Sequence, residues 1–170
     1  RKSDGLPVKV ENFSASKTLL RTFYYIDYKN IAGNKYLFTN RNDYPFGFSL
    51  PVGHVYSGET IKKSLERKVL EETGLIVTKS TLMCSTLFAD CCKYGTDLHQ
   101  WNIYECSVKG KIIPCFEVSE AKWIKKEDIE KLDLTAPIRY ILSKINFIEK
   151  DYDLEERLSL DSYLSKNLSN

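Results

Sequence analysis

The stretch from Gly53 to Leu75 reads GHVYSGETIKKSLERKVLEETGL. From Glu59 to Thr73 the apolar residues Ile61, Leu65, Val69 and Leu70 recur at helical spacing, and Gly74 stands where helices commonly end on glycine. The spacing predicts a helix over Glu59–Thr73. At about 100° per residue, Arg67, Lys68, Glu71 and Glu72 fall within an arc of roughly 140° on one face, with Leu65 and Val69 beside it. Such a helix buries an apolar stripe while carrying charged groups along its edge. Adjacent glutamates on a solvated face repel each other and add nothing to the fold. Carboxylate oxygens gathered in this way suit Mg²⁺ or Mn²⁺, which prefer oxygen ligands and keep waters for phosphate oxygens to replace.

In this register the stretch resembles the signature of the Nudix hydrolase family, G-x5-E-x7-R-E-U-x-E-E-x-G-U with U aliphatic. Gly53, Glu59, Arg67, Val69, Glu71, Glu72, Gly74 and Leu75 match, and Lys68 stands where the family has glutamate. Glycine, glutamate and arginine matching together at these positions would arise by chance at roughly one in ten million starting points, taking about 7% usage for each. A charged helix face that happens to fit is therefore a poor explanation. The resemblance implies an α+β fold in which a mixed β-sheet is sandwiched between helices. It implies an enzyme that hydrolyses the diphosphate linkage of a nucleoside diphosphate joined to another group X, with Mg²⁺ or Mn²⁺ as cofactor. The partner is then a small-molecule nucleotide diphosphate derivative. On the same basis Arg67, Lys68, Glu71 and Glu72 form the expected catalytic set. Glu71 and Glu72 are expected metal ligands, and Arg67 orients the carboxylates with Glu59 as its ion-pair partner. Some members add a ligand shortly before the tryptophan that follows the sheet. Ahead of Trp123 that ligand maps to Glu117, with Glu120 second, although an ordinary surface glutamate fits either position as well.

Lys68 changes the chemistry at its position. A charged ammonium has donors and no lone pair, so it neither ligates a metal nor takes a proton from water. Held roughly 5 Å from a dication at an effective dielectric of about 20, it costs several kcal/mol, so fewer or weaker metal ions are expected. Glu66 points about 160° away on the helix and is no substitute. Three outcomes stay open. The base comes from outside the box, with Asp90, Asp97, Glu105 and Glu120 as candidates. Alternatively, Lys68 is a fixed cation that binds phosphate in place of one metal. In the third, the scaffold has lost catalysis and binds a nucleotide or a protein. Upstream, where the family commonly has Pro-Gly-Gly, the chain has Pro51-Val52-Gly53. Val52 does not readily take positive φ, so the turn differs or the position does not need it, and His54 reads as a polar turn residue.

Around the box, Leu19–Tyr28 is rich in aromatic and β-branched residues, a turn signal follows up to Lys35, and Lys35–Asn40 completes an expected hairpin. Phe46–Pro51 leads into the box. Thr81–Ala89 and His99–Val108 read as strands, and Lys122–Ile124 as a short apolar piece. Lys125–Leu132 begins a helical pattern, and Ala136–Ile148 carries Ile138, Ile141, Leu142 and Ile145 on one face. Residues 1–148 are expected to form the domain. Residues 149–170, charged and serine-rich with spaced leucines, read as a marginal amphipathic helix or a disordered tail. Strands on both sides of one central helix favour α+β over regular βαβ alternation.

A chain of 170 residues fits one domain with a real core. Its formal net charge of +2 is too small to imply a polyanion, which disfavours nucleic acid as a principal ligand. No apolar run is long enough to cross a bilayer, so a soluble, cytoplasmic protein without membrane partners is expected. The numbering starts at Arg1 and the lone methionine is Met83, which leaves room for a removed leader. The odd set of 5 cysteines has no C-x-x-C pair, which favours reduced thiols over zinc or a full disulfide set. Nothing excludes a homodimer. Tyr44 and Phe46 are the best-placed aromatics for stacking a base, whereas Phe48, Trp101 and Tyr104 read as core; Arg41 and Lys93 are candidate phosphate cations, although a solvated face explains them as well.

Overall fold

The computed structural model describes residues 20–23, 27–28, 35–90, 98–113 and 115–168. The expected turn after Tyr28 and the segment bearing Cys91, Cys92, Lys93 and Asp97 lie outside the described residues. Strands β1 (Leu20–Phe23), β2 (Asp27–Tyr28), β3 (Lys35–Arg41), β4 (Gly47–Ser49) and β5 (Gly53–His54) precede helix α1 (Ile61–Thr73). Strands β6 (Ile76–Ala89), β7 (Leu98–Lys109) and β8 (Val118–Lys125) follow, then a 3-10 turn (Lys126–Lys131) and helices α2 (Ala136–Lys144), α3 (Tyr152–Leu158) and α4 (Leu160–Leu168).

One sheet has the order β5-β1-β7-β6, with β1 and β7 parallel and the remaining pairs antiparallel. In the second sheet β3 pairs with β8 along one edge and with β2 and β4 along the other. The expected hairpin is therefore only its β2–β3 part, because β1 belongs to the other sheet. Alternation along β3 places Tyr36 and Phe38 in a core cluster with Ile138, Ile141 and Leu142 of α2, and Leu37 in a second cluster with Leu65 and Val69 of α1. The sheet layer is thus buried on both faces between helices, which is the expected α+β arrangement.

Helix α1 starts two residues later than its apolar spacing suggests. Thr60 is the N-cap, its hydroxyl accepting from the Lys63 N–H at 3.2 Å. Glu59 is left outside the helix, where its side chain is free to turn back toward α1. At the other end Gly74 takes φ 74° and donates to the Leu70 carbonyl, a left-handed cap. Leu65 and Val69 are fully buried, but Leu70 is 52% exposed and does not belong to the apolar stripe. Helix α2 is shorter than expected. Asn146 at φ 56° and a Phe147 N–H bonded to the Leu142 carbonyl at 2.8 Å end it. In the tail, Leu154 of α3 joins the α2 core cluster, and Ser143 donates to Glu155 at 2.8 Å. Cys84, Cys106 and Cys115 are free thiols, with Cys106 buried. Among the described residues no helix is long and apolar enough to cross a membrane.

Candidate active site

Arg67 ties the box together. Its Nε donates to Glu59 Oε1 at 2.8 Å, and one terminal nitrogen donates to Glu59 Oε2 at 2.9 Å and to the His54 carbonyl at 3.1 Å. The other terminal nitrogen reaches Glu71 at 3.2 Å, and the guanidinium lies 4.0 Å from the Tyr56 ring centroid. Glu59 also accepts from the Tyr56 N–H at 3.1 Å. One arginine thus pins the β5–α1 loop to the helix. The bond from Arg67 holds the Glu59 carboxyl below the usual carboxylate range, and Glu59 in turn raises the pKa of Arg67.

Lys68 sits at the centre of the charged arc. Its Nζ lies 3.3 Å from Glu71 Oε2, 3.9 Å from Glu72 Oε1 and 3.7 Å from Glu117 Oε2. Glu71, Glu72 and Glu117, the expected metal ligands, thus each lie within ion-pair distance of that ammonium. Burial works to lower the pKa of Lys68, and the carboxylates of Glu72, Glu117 and Glu71 outweigh it, so the group is raised and stays charged. Gly53 shapes its path, since a Cβ there would collide with Cγ, Cδ and Cε of Lys68. Glu72 is 4% exposed, and burial pushes it up to about 7 against the pull of Lys68 and Arg41. Its Oε2 accepts from the Val52 N–H at 3.2 Å. Val52 has no positive φ, so this position does not call for glycine, and its N–H is the backbone donor to Glu72. The donor chemistry suits a divalent ion, yet with Lys68 seated the arrangement does not fit one. The carboxylate oxygens stand 3.3–3.9 Å from the Lys68 ammonium, at ion-pair distance, whereas Mg²⁺ takes oxygens at about 2.1 Å. Among the described residues no group of three or more His, Cys, Asp or Glu side chains is placed to hold a metal.

Beside this cluster opens a cleft of about 450 Å³, a volume common for small-molecule sites. Lys68, Glu72 and Glu117 form part of its wall, as do Arg41, Asp90 and Tyr44. Glu71 does not line it; that side chain is 46% exposed and is held between Arg67 and Lys68. Asp90 is pushed up to about 7 by burial, with Arg41 pulling the other way. Three buried polar atoms on the cleft wall, Arg41 Nε, Trp101 Nε1 and Thr135 Oγ1, have no hydrogen-bond partner among the described residues. Buried donors left in that state cost free energy that a ligand can recover.

Glu105 and Glu120 do not line the cleft, and Glu120 pairs with Lys122 at 3.1 Å. Phe46 is exposed but outside the lining, while Tyr44 lies on it. Trp101 is buried as core against Phe88 yet also reaches the cleft, and Tyr104 packs in the α1 cluster. Sequence reasoning missed Tyr56, Thr135 and His99, and it read His54 as a turn residue although its ring lies 5.6 Å from that of His99. The short strand β1 brings the two histidines together, pairing Thr22 with His54 and Leu20 with His99. No local pattern signals that crossover.

Comparison with known proteins adds to this geometry. The NUDIX domain profile matches residues 30–145. No curated protein matches the chain. Among solved structures, the NUDIX domain of Shewanella oneidensis NrtR, complexed with ADP ribose, is similar at TM-score 0.64 and 20% identity, covering 78% of this chain and 89% of that one. A MutT described from Aliivibrio salmonicida and Vibrio cholerae gives 0.60 and 15% over 75% of this chain and 97% of that one. A C. elegans Ap4A hydrolase gives 0.58 and 18% over 76% and 94%. At these identities the structural likenesses speak for the fold, and the profile, spanning more than half of the chain, speaks for ancestry. With the box residues arranged on α1 as described, the chain belongs to the NUDIX domain family, that of the Nudix hydrolases.

Proposed function

We propose that the cleft binds a nucleoside diphosphate derivative and hydrolyses its diphosphate linkage. The observation that carries this reading is the cleft wall itself, where Arg41 and Lys68 present cations among the carboxyl groups of Asp43, Glu72, Asp90 and Glu117, beside buried, unpartnered polar atoms. Arg41 and Lys68 meet the phosphate oxygens, Arg41 with a planar fork and Lys68 as a point charge. Asp90 is the base we assign, since it lines the cleft and burial pushes its carboxyl up to about 7, which suits proton transfer near neutral pH. As its carboxylate takes a proton from water, the water oxygen bonds to phosphorus and the bridging P–O bond breaks. The electron pair leaves on the departing phosphate. Members of the family generally use divalent metals. The expected Mg²⁺ or Mn²⁺ at Glu71, Glu72 and Glu117 would require Lys68 to leave its seat, so no step here is routed through a metal. The whole site falls within the proposed domain of residues 1–148.

ADP-ribose and a dinucleoside polyphosphate, the compound classes named for two similar structures, head the substrate panel, followed by nucleoside triphosphates and nucleotide sugars. Release of nucleoside monophosphate or phosphate, measured with Mg²⁺, with Mn²⁺ and with chelator, tests the reading. Absence of turnover on every compound in all three conditions would refute it. The Lys68 ammonium amid the carboxylates favours one second reading, a catalytically impaired module that binds a nucleotide or a protein. Turnover that appears only in Lys68→Glu decides for that second reading.

A further inference from the structure

We propose that Lys68 is the resident cation of the carboxylate focus formed by Glu71, Glu72 and Glu117, replacing a divalent ion there, so that a diphosphate entering the cleft meets an ammonium. The three carboxylates come from two separate places, the last turn of α1 and the loop before β8, and their oxygens surround Nζ at 3.3, 3.9 and 3.7 Å. The Lys68 side chain is only 13% exposed. Its stem is housed rather than draped over the surface, because the missing Cβ of Gly53 is the space that its methylenes fill. The carboxylates are held independently: Glu72 by the Val52 N–H and Glu71 by Arg67. Glu117 meets Lys68 across the cleft wall, and Asn42 N–H donates to the Glu117 carbonyl at 3.1 Å, fixing the loop that carries it. A dication brought to the same focus would lose that space to Nζ and be repelled by its charge. The seat is closed to metal by a residue of the chain, and Lys68 lines the cleft from which phosphate approaches. The cation half of this inference stands apart from the hydrolysis reading, whereas the ligand half rests on it.

Mn²⁺ binding to the nucleotide-free protein tests the cation half, followed by calorimetry and by the paramagnetic resonance signal of free Mn²⁺. The native chain is expected to show no saturable site at millimolar Mn²⁺, and Lys68→Gln and Lys68→Glu are expected to gain one, at least about tenfold tighter. Native protein that binds Mn²⁺ as tightly as both variants overturns the inference. Because removing Lys68 leaves carboxylates uncompensated, Gly53→Ala is run beside it; the added methyl pushes the stem out without deleting a charge. A gain of Mn²⁺ binding in Gly53→Ala supports the inference, and folded Lys68→Gln and Gly53→Ala proteins that both bind no Mn²⁺ overturn it. Inorganic pyrophosphate in chelator tests the ligand half. Binding to the native chain that weakens in Lys68→Gln is expected, and pyrophosphate bound only with Mn²⁺ present overturns the inference. Pyrophosphate and ADP-ribose bound under no condition would instead sink the phosphate reading, with the Mn²⁺ result still deciding what occupies the seat.

Discussion

The Arg67–Glu59 pair should contribute measurably to stability, because its two hydrogen bonds of 2.8 and 2.9 Å form a bidentate fork between side chains only 22% and 15% exposed. An exposed ion pair is worth about 0–1 kcal/mol, and a hydrogen bond to a charged group about 1.5–3 kcal/mol. Partial exposure discounts the upper figure, so a coupling of about 2 kcal/mol is expected between the two side chains. For a chain of this size, that corresponds to roughly 4–8 °C in Tm. Arg67→Met should cost more than the coupling alone, since it also strips the His54 carbonyl and the Tyr56 ring of their cation. The assay is a double-mutant cycle of Arg67→Met and Glu59→Gln by urea unfolding at neutral pH. Because Glu59 is held below its ordinary pKa of 4.5, the coupling should be complete above that pH and should fade as pH falls through the lowered folded value. A coupling under about 0.5 kcal/mol at neutral pH would refute the claim that this fork anchors the loop to α1.

Glu72 titrates in the opposite sense: its folded pKa of about 7 lies above the ordinary 4.5, so its contribution is present below 4.5 and is lost as pH rises through 7. Glu72→Gln should therefore gain on the native chain by about 2–3 kcal/mol across that window, and a pH-independent difference in unfolding free energy would count against a buried, titrating Glu72. Asp90→Asn should lower turnover at least about 100-fold and abolish the acid limb of the rate profile near pH 7, whereas a twofold loss would place the base elsewhere. Gly74→Ala should destabilise the chain by about 1–2 kcal/mol, because φ 74° is left-handed and the new methyl would approach Ile113 Cβ at 3.0 Å; unchanged unfolding would show that the cap relaxes.

The elements that sequence makes legible are those specified by neighbours in the chain. Ile61, Leu65 and Val69 with Gly74 define α1, and the strands Lys35–Arg41 and Leu98–Lys109 follow from their apolar and aromatic content. Local chemistry also explains the errors at helix ends. Thr60 is a better cap than Glu59, and Asn146 tolerates the left-handed turn that ends α2, so both stops are written in residue type rather than in periodicity. The parallel pairing of β1 with β7 is a different matter, because it joins Leu20 to His99 across most of the domain and no spacing encodes it. The placement of His54 beside His99 depends on that pairing.

The same division runs through the site. A period of 3.6 residues puts Arg67, Lys68, Glu71 and Glu72 on one face, and that face is where they lie. It says nothing of Glu117, which reaches Lys68 only because β8 pairs with β3 and the loop before β8 is tied to Asn42. Considered on the helix alone, Lys68 is a charge that would repel a metal held by its glutamate neighbours. With Glu117 added and Glu72 buried against Val52, the balance changes sign: three carboxylates surround one ammonium, and removing that ammonium is what would expose an unpaired anionic focus. Lysine at this position is thus compensated by the residues it was expected to disable, and Gly53, whose lack of a side chain makes room for the lysine stem, serves that arrangement from the far end of the box.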